Sequence, residues 1–319
     1  NIVPVPPESR TTPVAGFTPR KFVPVIVTGV ATVLCSVASS VFGVDVNPTA
    51  VWLCELRLWL AMVIDHPATD PARVPPLPNL DHNIRCGDTL AGGNFGLARP
   101  AGGGGALATR RARYARASGV RKRSLGRQLD RAERAQLLAW LDARLGMLTA
   151  MRRALVVAAR GRDLFGARRG SAGGERDTLR QLRRTAGEIR RQRRAVADGG
   201  AMPFAFAAHF PDVAAAGGFD LVVGNPPWVR LHRIPSAARD RLRREFRVYR
   251  EAAWMPGVRA ARAGQGFGSQ VDVSALFIER GVELLAADGV LSFLVPAKLW
   301  RSLAGGGVRR LLQQRCTIR

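Results

Sequence analysis

An apolar segment of the sequence ends in Asn225, Pro226, Pro227 and Trp228, whose residue types suit the chemistry of an amino group. The prolines fix φ and lack an N–H, so a carbonyl between Asn225 and Pro227 is held in place and released from strand pairing. That carbonyl and the Asn225 amide oxygen can accept both hydrogens of one amine. Trp228 offers a flat face on which a planar group carrying the amine can stack. The alternative is an ordinary strand-ending turn, because Asn-Pro and Pro-Pro both interrupt strands.

Two acidic residues also follow short apolar segments. Asp45 lies in VFGVDVNP and Asp88 lies in RCGDTL. An acid just past a strand of a nucleotide-binding unit is placed to accept hydrogen bonds from ribose hydroxyls. A second acid at the next strand end could accept from the amino group of an adenine ring. Taken singly, each residue also fits a helix cap or a turn.

The surrounding pattern predicts that these residues stand at the ends of parallel strands. Short apolar strands are expected at 40–46, 83–86, 219–223 and 290–296. Helices are expected at 47–65 and 271–289, with a broken helix at 297–314. Strands separated by helices of this length favour a parallel sheet with right-handed crossovers. Ligands of such sheets bind beyond the carboxyl ends of the strands.

The middle of the chain, residues 93–200, has a different composition. A glycine-rich linker leads into arginine-rich helix, in which leucines recur mostly at intervals of three or four residues on both sides of the GSAGG turn. Two helices packed back to back would bury these leucines, which predicts a helical hairpin inserted into an α/β domain. The hairpin is either a spacer with a solvated charged face or an element that contacts nucleic acid directly.

The bulk composition combines a globular apolar content with a strong positive charge. The 319 residues are 47% hydrophobic and carry a formal net charge of +25 at pH 7. This combination favours a polyanionic partner, usually nucleic acid. A basic protein from a GC-rich genome, with arginines on solvated faces, is the alternative.

Metal and membrane functions have little support in the sequence. The four cysteines and four histidines show no ligand spacing, so we expect no metal and reduced thiols in a cytosolic protein. Residues 22–44 carry no charge and follow Arg20 and Lys21, which is the outline of a membrane span or signal peptide. Pro24 and Gly29 interrupt that run, so a buried location is the preferred interpretation and no membrane association is expected. No oligomeric state is predicted.

At this point the residues resemble a known family. FDLVVGNPPWVR is similar to the catalytic motif of S-adenosylmethionine-dependent amino-group DNA methyltransferases, whose adenine-specific members carry Asn-Pro-Pro followed by an aromatic residue. VFGVDVNPTAVWLCELRLWL, LDHNIRCGDTL and ALFIERGVELLAADGVLSFLVPAKLW resemble the segments on either side of that motif. The resemblance covers roughly residues 40–310 and implies a doubly wound, Rossmann-like methyltransferase sheet, here with an inserted arginine-rich helical hairpin.

The resemblance also implies roles for the residues above. Asp45 would bind the ribose of S-adenosylmethionine and Asp88 its adenine. Asn225, Pro226 and Pro227 would form the catalytic turn that holds the target amine, and Trp228 would stack on the flipped adenine. The helix from Asp272 would line the same pocket. The implied substrate is double-stranded DNA, in a cytoplasmic, nucleoid-associated enzyme of restriction-modification or phage defence.

One departure from the family concerns the cofactor loop. The family normally opens with a glycine-rich loop that holds the methionine part of the cofactor, and TGVATVLCSVASS offers one glycine and no acid. Either the loop lies upstream of Asn1 or the first forty residues come from an unrelated or disrupted reading, and we expect a fragment in both cases. We also expect it to end before any target-recognition domain. Its expected parts are an unassigned segment 1–39, a cofactor-side part 40–92, the linker and insertion 93–200, and a catalytic part 201–319.

Two further functions stay open at this stage. One keeps the chemistry and changes the substrate to an amide or amine of protein or RNA, because glutamine methyltransferases share Asn-Pro-Pro-Tyr. The other is an inactive module that binds nucleic acid through the arginine-rich hairpin.

Overall fold

The fold is α/β, with mostly helices and small parallel sheets. A computed structural model describes residues 40–64, 70, 78–93, 104–160, 173–250 and 271–318. The elements are, in chain order, β1 (Gly43–Asp45), α1 (Pro48–Ile64), β2 (Ile84–Cys86), α2 (Gly104–Ala115), α3 (Gly119–Arg160), α4 (Gly173–Ala197), α5 (Phe206–His209), α6 (Pro211–Ala215), β3 (Phe219–Gly224), α7 (Ser236–Glu245), α8 (Arg247–Arg250), α9 (Val273–Leu284), β4 (Leu285–Phe293), α10 (Lys298–Arg301) and α11 (Gly306–Arg315). Short 3-10 turns lie at Leu231–Arg233 and Leu303–Gly305.

The strands form two parallel pairs. β1 pairs with β2, which places Asp45 opposite Cys86. β3 pairs with β4, which places Gly224 opposite Phe293. All four predicted strands are present and parallel within each pair, although β4 spans Leu285–Phe293 and not the expected 290–296. In the described part of the chain the two pairs are separate two-stranded sheets, so a single doubly wound sheet stays a prediction.

The unassigned segment 1–39 lies outside the described residues, and so does most of the uncharged run at 22–44. Among the helices that the structure describes, none is long and apolar enough to cross a lipid bilayer.

One helix boundary differs from the prediction. The expected helix reached Gly289, whereas α9 ends at Leu284 and β4 begins at Leu285. Leu285 pairs with Phe219, and the strands approach so closely here that a Cβ on Gly218 would lie 2.5 Å from the Leu285 carbonyl carbon. The strand ladder therefore overrides the helix propensity of the alanines that follow. The broken helix predicted after β4 is confirmed by α10, the 3-10 turn and α11.

A cluster of aromatic rings joins the two sheets. Phe42, just before β1, lies 5.0 Å from Phe210 and 5.7 Å from Phe219 between ring centroids. Phe204 and Phe206 extend the same cluster, and Phe210 is fully buried. Tilted and edge-to-face pairs of this kind add about 0.5–1.5 kcal/mol each beyond the area they bury. Side-chain packing therefore positions the β1–β2 pair relative to the β3–β4 pair.

Arg111 of α2 fastens the helical insertion to this cluster. Its guanidinium lies 5.4 Å from the Phe42 centroid and 5.8 Å from that of Phe210. It donates to the His209 carbonyl at 2.8 Å and pairs with Asp212 at 3.2 Å. This buried charge is thus both stacked and hydrogen-bonded, as an arginine in a core requires.

A second buried arginine links α9 to the segment after β2. Arg280 is 2% exposed, donates to the Leu90 carbonyl at 3.2 Å and pairs with Glu283 at 3.1 Å. Burial lowers the pKa of Arg280. Nearby, Arg241 of α7 reaches Asp88 at 3.4 Å, and both of those side chains are about half exposed.

The predicted helical hairpin is present. α3 and α4 run antiparallel, because Arg134 of α3 donates to the Val196 carbonyl at 2.6 Å while Asp142 pairs with Arg193. The leucine pattern is buried between them, in a cluster that includes Leu137, Leu141, Leu148, Leu182, Ala186, Ile189 and Val196. The insertion is therefore a packed unit.

We expect acid to destabilise the fold through His209. Burial and the nearby Arg85 charge lower the pKa of His209 from 6.5 to about 4. The unfolded chain then binds more protons between these values, so stability is full above pH 6.5 and falls as pH approaches 4. The expected loss is about 2 kcal/mol by pH 5. His209→Phe, which keeps a ring against Phe204, should remove most of this dependence in urea unfolding measured from pH 7.5 to 5. An equal pH dependence in both proteins would show that His209 is not responsible.

We expect the two arginine links to differ in strength. Arg280→Met leaves the buried Leu90 carbonyl without its donor and should lower the free energy of unfolding by about 2–4 kcal/mol. Arg241→Gln removes an exposed ion pair and should cost about 0–1 kcal/mol. Urea unfolding of both variants, with amide exchange of residues 88–93, measures the difference. Equal losses would contradict the structural role assigned to Arg280.

Candidate active site

The two predicted acids meet at neighbouring strand ends. The Gly87 N–H donates to the Asp45 carbonyl at 2.9 Å, which extends the β1–β2 pairing into the segment that carries Asp88. Both acidic side chains are exposed. The structure therefore brings Asp45 and Asp88 to the same edge of one sheet.

Local turns orient both carboxylates. Asp45 Oδ1 accepts from the Asn47 N–H at 2.7 Å, and Asn47 Oδ1 accepts from the Thr49 N–H at 2.9 Å, at the start of α1. Asp88 Oδ1 accepts from the Leu90 N–H at 2.9 Å. Short side chains of this kind close turns on their own backbone. The turn interpretation is therefore correct for both acids, and it is compatible with ligand binding because each turn bond uses one carboxylate oxygen.

Asn225, Pro226, Pro227 and Trp228 follow β3 directly. The Leu294 N–H donates to the Gly224 carbonyl at 3.0 Å, and this is the last hydrogen bond before the turn. Pro226 is buried, whereas Asn225 and Pro227 are exposed. Trp228 is 53% exposed, and its indole N–H donates to the Leu294 carbonyl at 3.3 Å. The turn thus rests on a buried proline and presents an amide and an aromatic ring at the edge of the β3–β4 sheet.

The chain after Trp228 is tied to the start of α9. Val273 donates its N–H to the Val229 carbonyl at 2.8 Å, and Leu231 donates to the Val271 carbonyl at 2.9 Å. These bonds flank an antiparallel bridge between Arg230 and Asp272. The Asn-Pro-Pro-Trp turn is therefore held at both ends, by β4 and by the start of α9.

Asp272 is a buried carboxylate beside this turn. It is 3% exposed and caps α9 by accepting from the Ser274 N–H at 3.1 Å and the Ser274 hydroxyl at 2.9 Å. The Lys298 ammonium lies 3.0 Å from its second oxygen. The start of α9 thus lies beside the turn, and the expectation that this helix lines the same pocket stays a prediction. Lys298 was not among the predicted site residues, because a lone lysine after a strand is a common pattern.

An ion pair joins the two halves of the site. Arg241 lies on α7, which follows the turn, and its guanidinium reaches Asp88 Oδ2 at 3.4 Å. The structure thus groups Asp45 with Asp88, and Asn225 and Trp228 with Asp272. Arg241 connects these two groups.

Sequence reasoning missed the buried ions that support the site. Glu279 of α9 accepts from the backbone N–H groups of Arg247 and Val248, both at 2.8 Å. Burial raises the pKa of Glu279, while these two bonds oppose the shift. The signal that could have revealed it is the adjacent pair Glu279 and Arg280 inside the apolar helix ALFIERGVELL.

One cluster has the spacing of a metal site. His82, Asp130 and Glu133 place ligand atoms within 4.8 Å of one another. Glu133 is already engaged by His82 at 2.9 Å and by the Arg85 guanidinium. Burial raises the pKa of Glu133, but the bonds from these partners outweigh burial and lower it. The Arg85 charge opposes a cation here, so the cluster is better explained as an anchor of α3 to β2.

Comparison with known proteins gives consistent findings. Residues 39–319 match the model of the Eco57I restriction-modification methylase family. A Methanocaldococcus jannaschii protein is 40% identical over 58 residues, which are 18% of this chain and 5% of that protein. Its name describes a type II restriction enzyme and methyltransferase. The type II methyltransferase M.PaeR7I of Pseudomonas aeruginosa is 30% identical over 99 residues, or 31% of this chain and 14% of the relative.

The matched stretches thus span a small part of either curated relative. No solved structure matches the chain. The family match, in contrast, includes both strand pairs, the helical hairpin and the Asn-Pro-Pro-Trp turn. The chain therefore belongs to the Eco57I restriction-modification methylase family.

Proposed function

We propose that this chain contains the catalytic part of an enzyme that transfers a methyl group from S-adenosylmethionine to the exocyclic amine of adenine in double-stranded DNA. The observation that carries the proposal is the Asn-Pro-Pro-Trp turn, fixed between β4 and α9 at the end of a parallel strand. The family match supports methyl transfer within a restriction-modification context. A cytoplasmic, nucleoid-associated location belongs to the same proposal.

The residues of the β1–β2 edge fit the nucleoside part of the cofactor. Asp45 and Asp88 are exposed acceptors whose orientation is set by backbone donors. A carboxylate at a strand end suits the hydroxyls of a ribose, and the second suits an adenine amine. S-adenosylmethionine would supply an electrophilic methyl group when bound.

The turn suits the target amine. The Asn225 amide oxygen and a proline-fixed carbonyl can accept the two amine hydrogens, which keeps the nitrogen lone pair available. The exposed Trp228 ring can stack on a base that has left the duplex. Positioning of this kind needs no acid or base of high strength, because most of its effect is to align the reacting atoms.

The proposed roles belong to different parts of the chain. Residues 40–92 would hold the cofactor and residues 201–319 the target base, with the insertion at 93–200 between them. Arg241 crosses from the second part to Asp88 of the first. Cofactor binding at Asp88 would therefore change the contacts of α7, the helix that follows the catalytic turn.

We expect Asn225→Ala to reduce methyl transfer to adenine by about 100-fold or more, since loss of one preorganised polar partner has an effect of that size. Transfer of labelled methyl from S-adenosylmethionine to duplex DNA measures the activity. Asn225→Asp is the matched control, because it keeps an acceptor oxygen at the same place and should retain more activity than the alanine variant.

Circular dichroism and calorimetric titration of the cofactor complete the experiment. Both variants should keep the fold and the cofactor affinity, because Asn225 is exposed. Adenine methylation that survives Asn225→Ala would overturn the site assignment. Label recovered in protein or RNA and not in DNA would favour the alternative substrates. DNA binding without cofactor binding by the unmodified chain would favour the inactive nucleic-acid-binding module.

A further inference from the structure

The arginines of α4 lie on one side of the helix. Successive residues of an α-helix turn by about 100°, so residues three, four and seven apart share a face. By this geometry seven exposed arginines fall within about a third of the helix circumference, away from the leucines that pack on α3. They are Arg176, Arg180, Arg183, Arg184, Arg190, Arg191 and Arg194, and we call this set the arginine stripe. The remaining arginine, Arg193, sits on the packed side and pairs with Asp142.

No acidic residue lies inside the stripe. Asp177 and Glu188 stand on one flank, where Asp177 pairs with Arg180 at 3.0 Å. Glu175 lies on the packed side. Like charges three or four residues apart destabilise a helix by a few tenths of a kcal/mol per pair, and the stripe contains several such pairs. A merely solvated face would place acids at these spacings, so the arrangement favours an external polyanion.

The neighbouring helix α3 lacks this organisation. Its exposed arginines fall into two groups, one between Arg121 and Arg131 near the start and one at Arg152 and Arg153 near the end. Between them, Arg134 bonds the Val196 carbonyl, and Arg144 lies against Glu245 at 3.8 Å. The continuous stripe is therefore a property of α4 and not of arginine content alone.

Side-chain contacts fix the position of the stripe relative to the candidate catalytic part. α4 packs on α3 through the buried leucines, and Arg134 also donates to the Gly200 carbonyl at 3.0 Å. Glu133 anchors α3 to β2 through Arg85, while Arg144 reaches Glu245 on α7. A partner bound on α4 would thus have a fixed position relative to the strand ends.

We propose that the arginine stripe binds the phosphate backbone of the DNA duplex whose base enters the site. This inference rests on the proposed function for the identity of the polyanion. From Arg176 to Arg194 the helix rises about 27 Å, over which a duplex presents about 16 phosphates. Guanidinium groups suit these phosphates because they donate two parallel hydrogen bonds. Contacts of this kind position a duplex without reading its sequence.

The test compares two triple variants that lose the same charge. Arg183, Arg190 and Arg194 are replaced by glutamine on the stripe, and Arg121, Arg131 and Arg153 by glutamine on α3. Fluorescence anisotropy measures binding of the 319-residue chain to a labelled 30-base-pair duplex between 50 and 300 mM salt. The stripe variant should bind at least about tenfold more weakly at 150 mM salt, with a salt slope smaller by about 2.7. The α3 variant should change less than about threefold.

Several outcomes would overturn the proposal. Equal losses in both variants would show that only the overall charge matters, and unchanged binding in the stripe variant would exclude the stripe directly. Poly-glutamate that competes as well as duplex DNA at equal charge would indicate an acidic protein partner. Circular dichroism should show both variants folded, since glutamine and arginine have similar helix propensities.

Asn225→Ala separates this inference from the proposed function. Methyl transfer by that variant tests the catalytic assignment, whereas duplex binding by the two triple variants tests the stripe, so each proposal has its own measurement. If methyl transfer is never observed but the stripe variant binds DNA more weakly, the proposed function is wrong and the proposed interface is supported. If methyl transfer depends on Asn225 but the stripe variant binds DNA as the unmodified chain does, only the proposed interface is wrong.

Discussion

The position of every candidate site residue depends on the packing of a few aromatic rings. Strand pairing places Asp45 opposite Cys86, at the sheet edge that leads to Asp88, and separately places Asn225 beside the end of β4. In the described residues the link between these two pairs runs through Phe42, Phe210 and Phe219, with Arg111 stacked on the cluster. Ring packing of this kind is dense and directional, and a core responds to the loss of even one methylene.

Buried ions add direction to this apolar contact. An apolar cluster resists separation but tolerates small rotations, whereas a hydrogen-bonded guanidinium has few allowed geometries. Arg280 holds the Leu90 carbonyl, two residues beyond Asp88, and Glu279 holds the backbone of α8. The site is thus supported by charged groups that are too buried to meet a substrate. Their contribution is to fix the separation of exposed candidate residues such as Asp88 and Asn225.

Much of the local structure follows from local sequence. The prolines of Asn-Pro-Pro-Trp end β3 because they lack donors, and Pro48 begins α1 where its missing N–H costs nothing. The leucine spacing of the insertion predicts the hairpin because a helix repeats its faces every three or four residues. Such features are decided within a few residues of each other, and the sequence therefore predicts them well.

The rest depends on contacts between distant residues. Arg241 and Asp88 are exposed and far apart in the chain, and no local sequence pattern indicates that they pair. The end of α9 was misplaced because Leu285 gains more from pairing with Phe219 than from another helical turn. The contacts of Arg280 with the Leu90 carbonyl and the Phe246 ring likewise join residues that are distant in the chain. The split into two strand pairs likewise has no local signature.

The helical hairpin also has a consequence for how the chain folds. Phe42 and Phe219 meet across about 180 residues, and the entropy lost in closing a loop grows with its length. α3 and α4 pack against each other through contacts that are local to the insertion. The hairpin carries Glu133, which pairs with Arg85 of β2, and its formation shortens the stretch of chain that must be ordered when the two sides meet. We therefore expect early formation of the hairpin to speed the meeting of the two sides during folding.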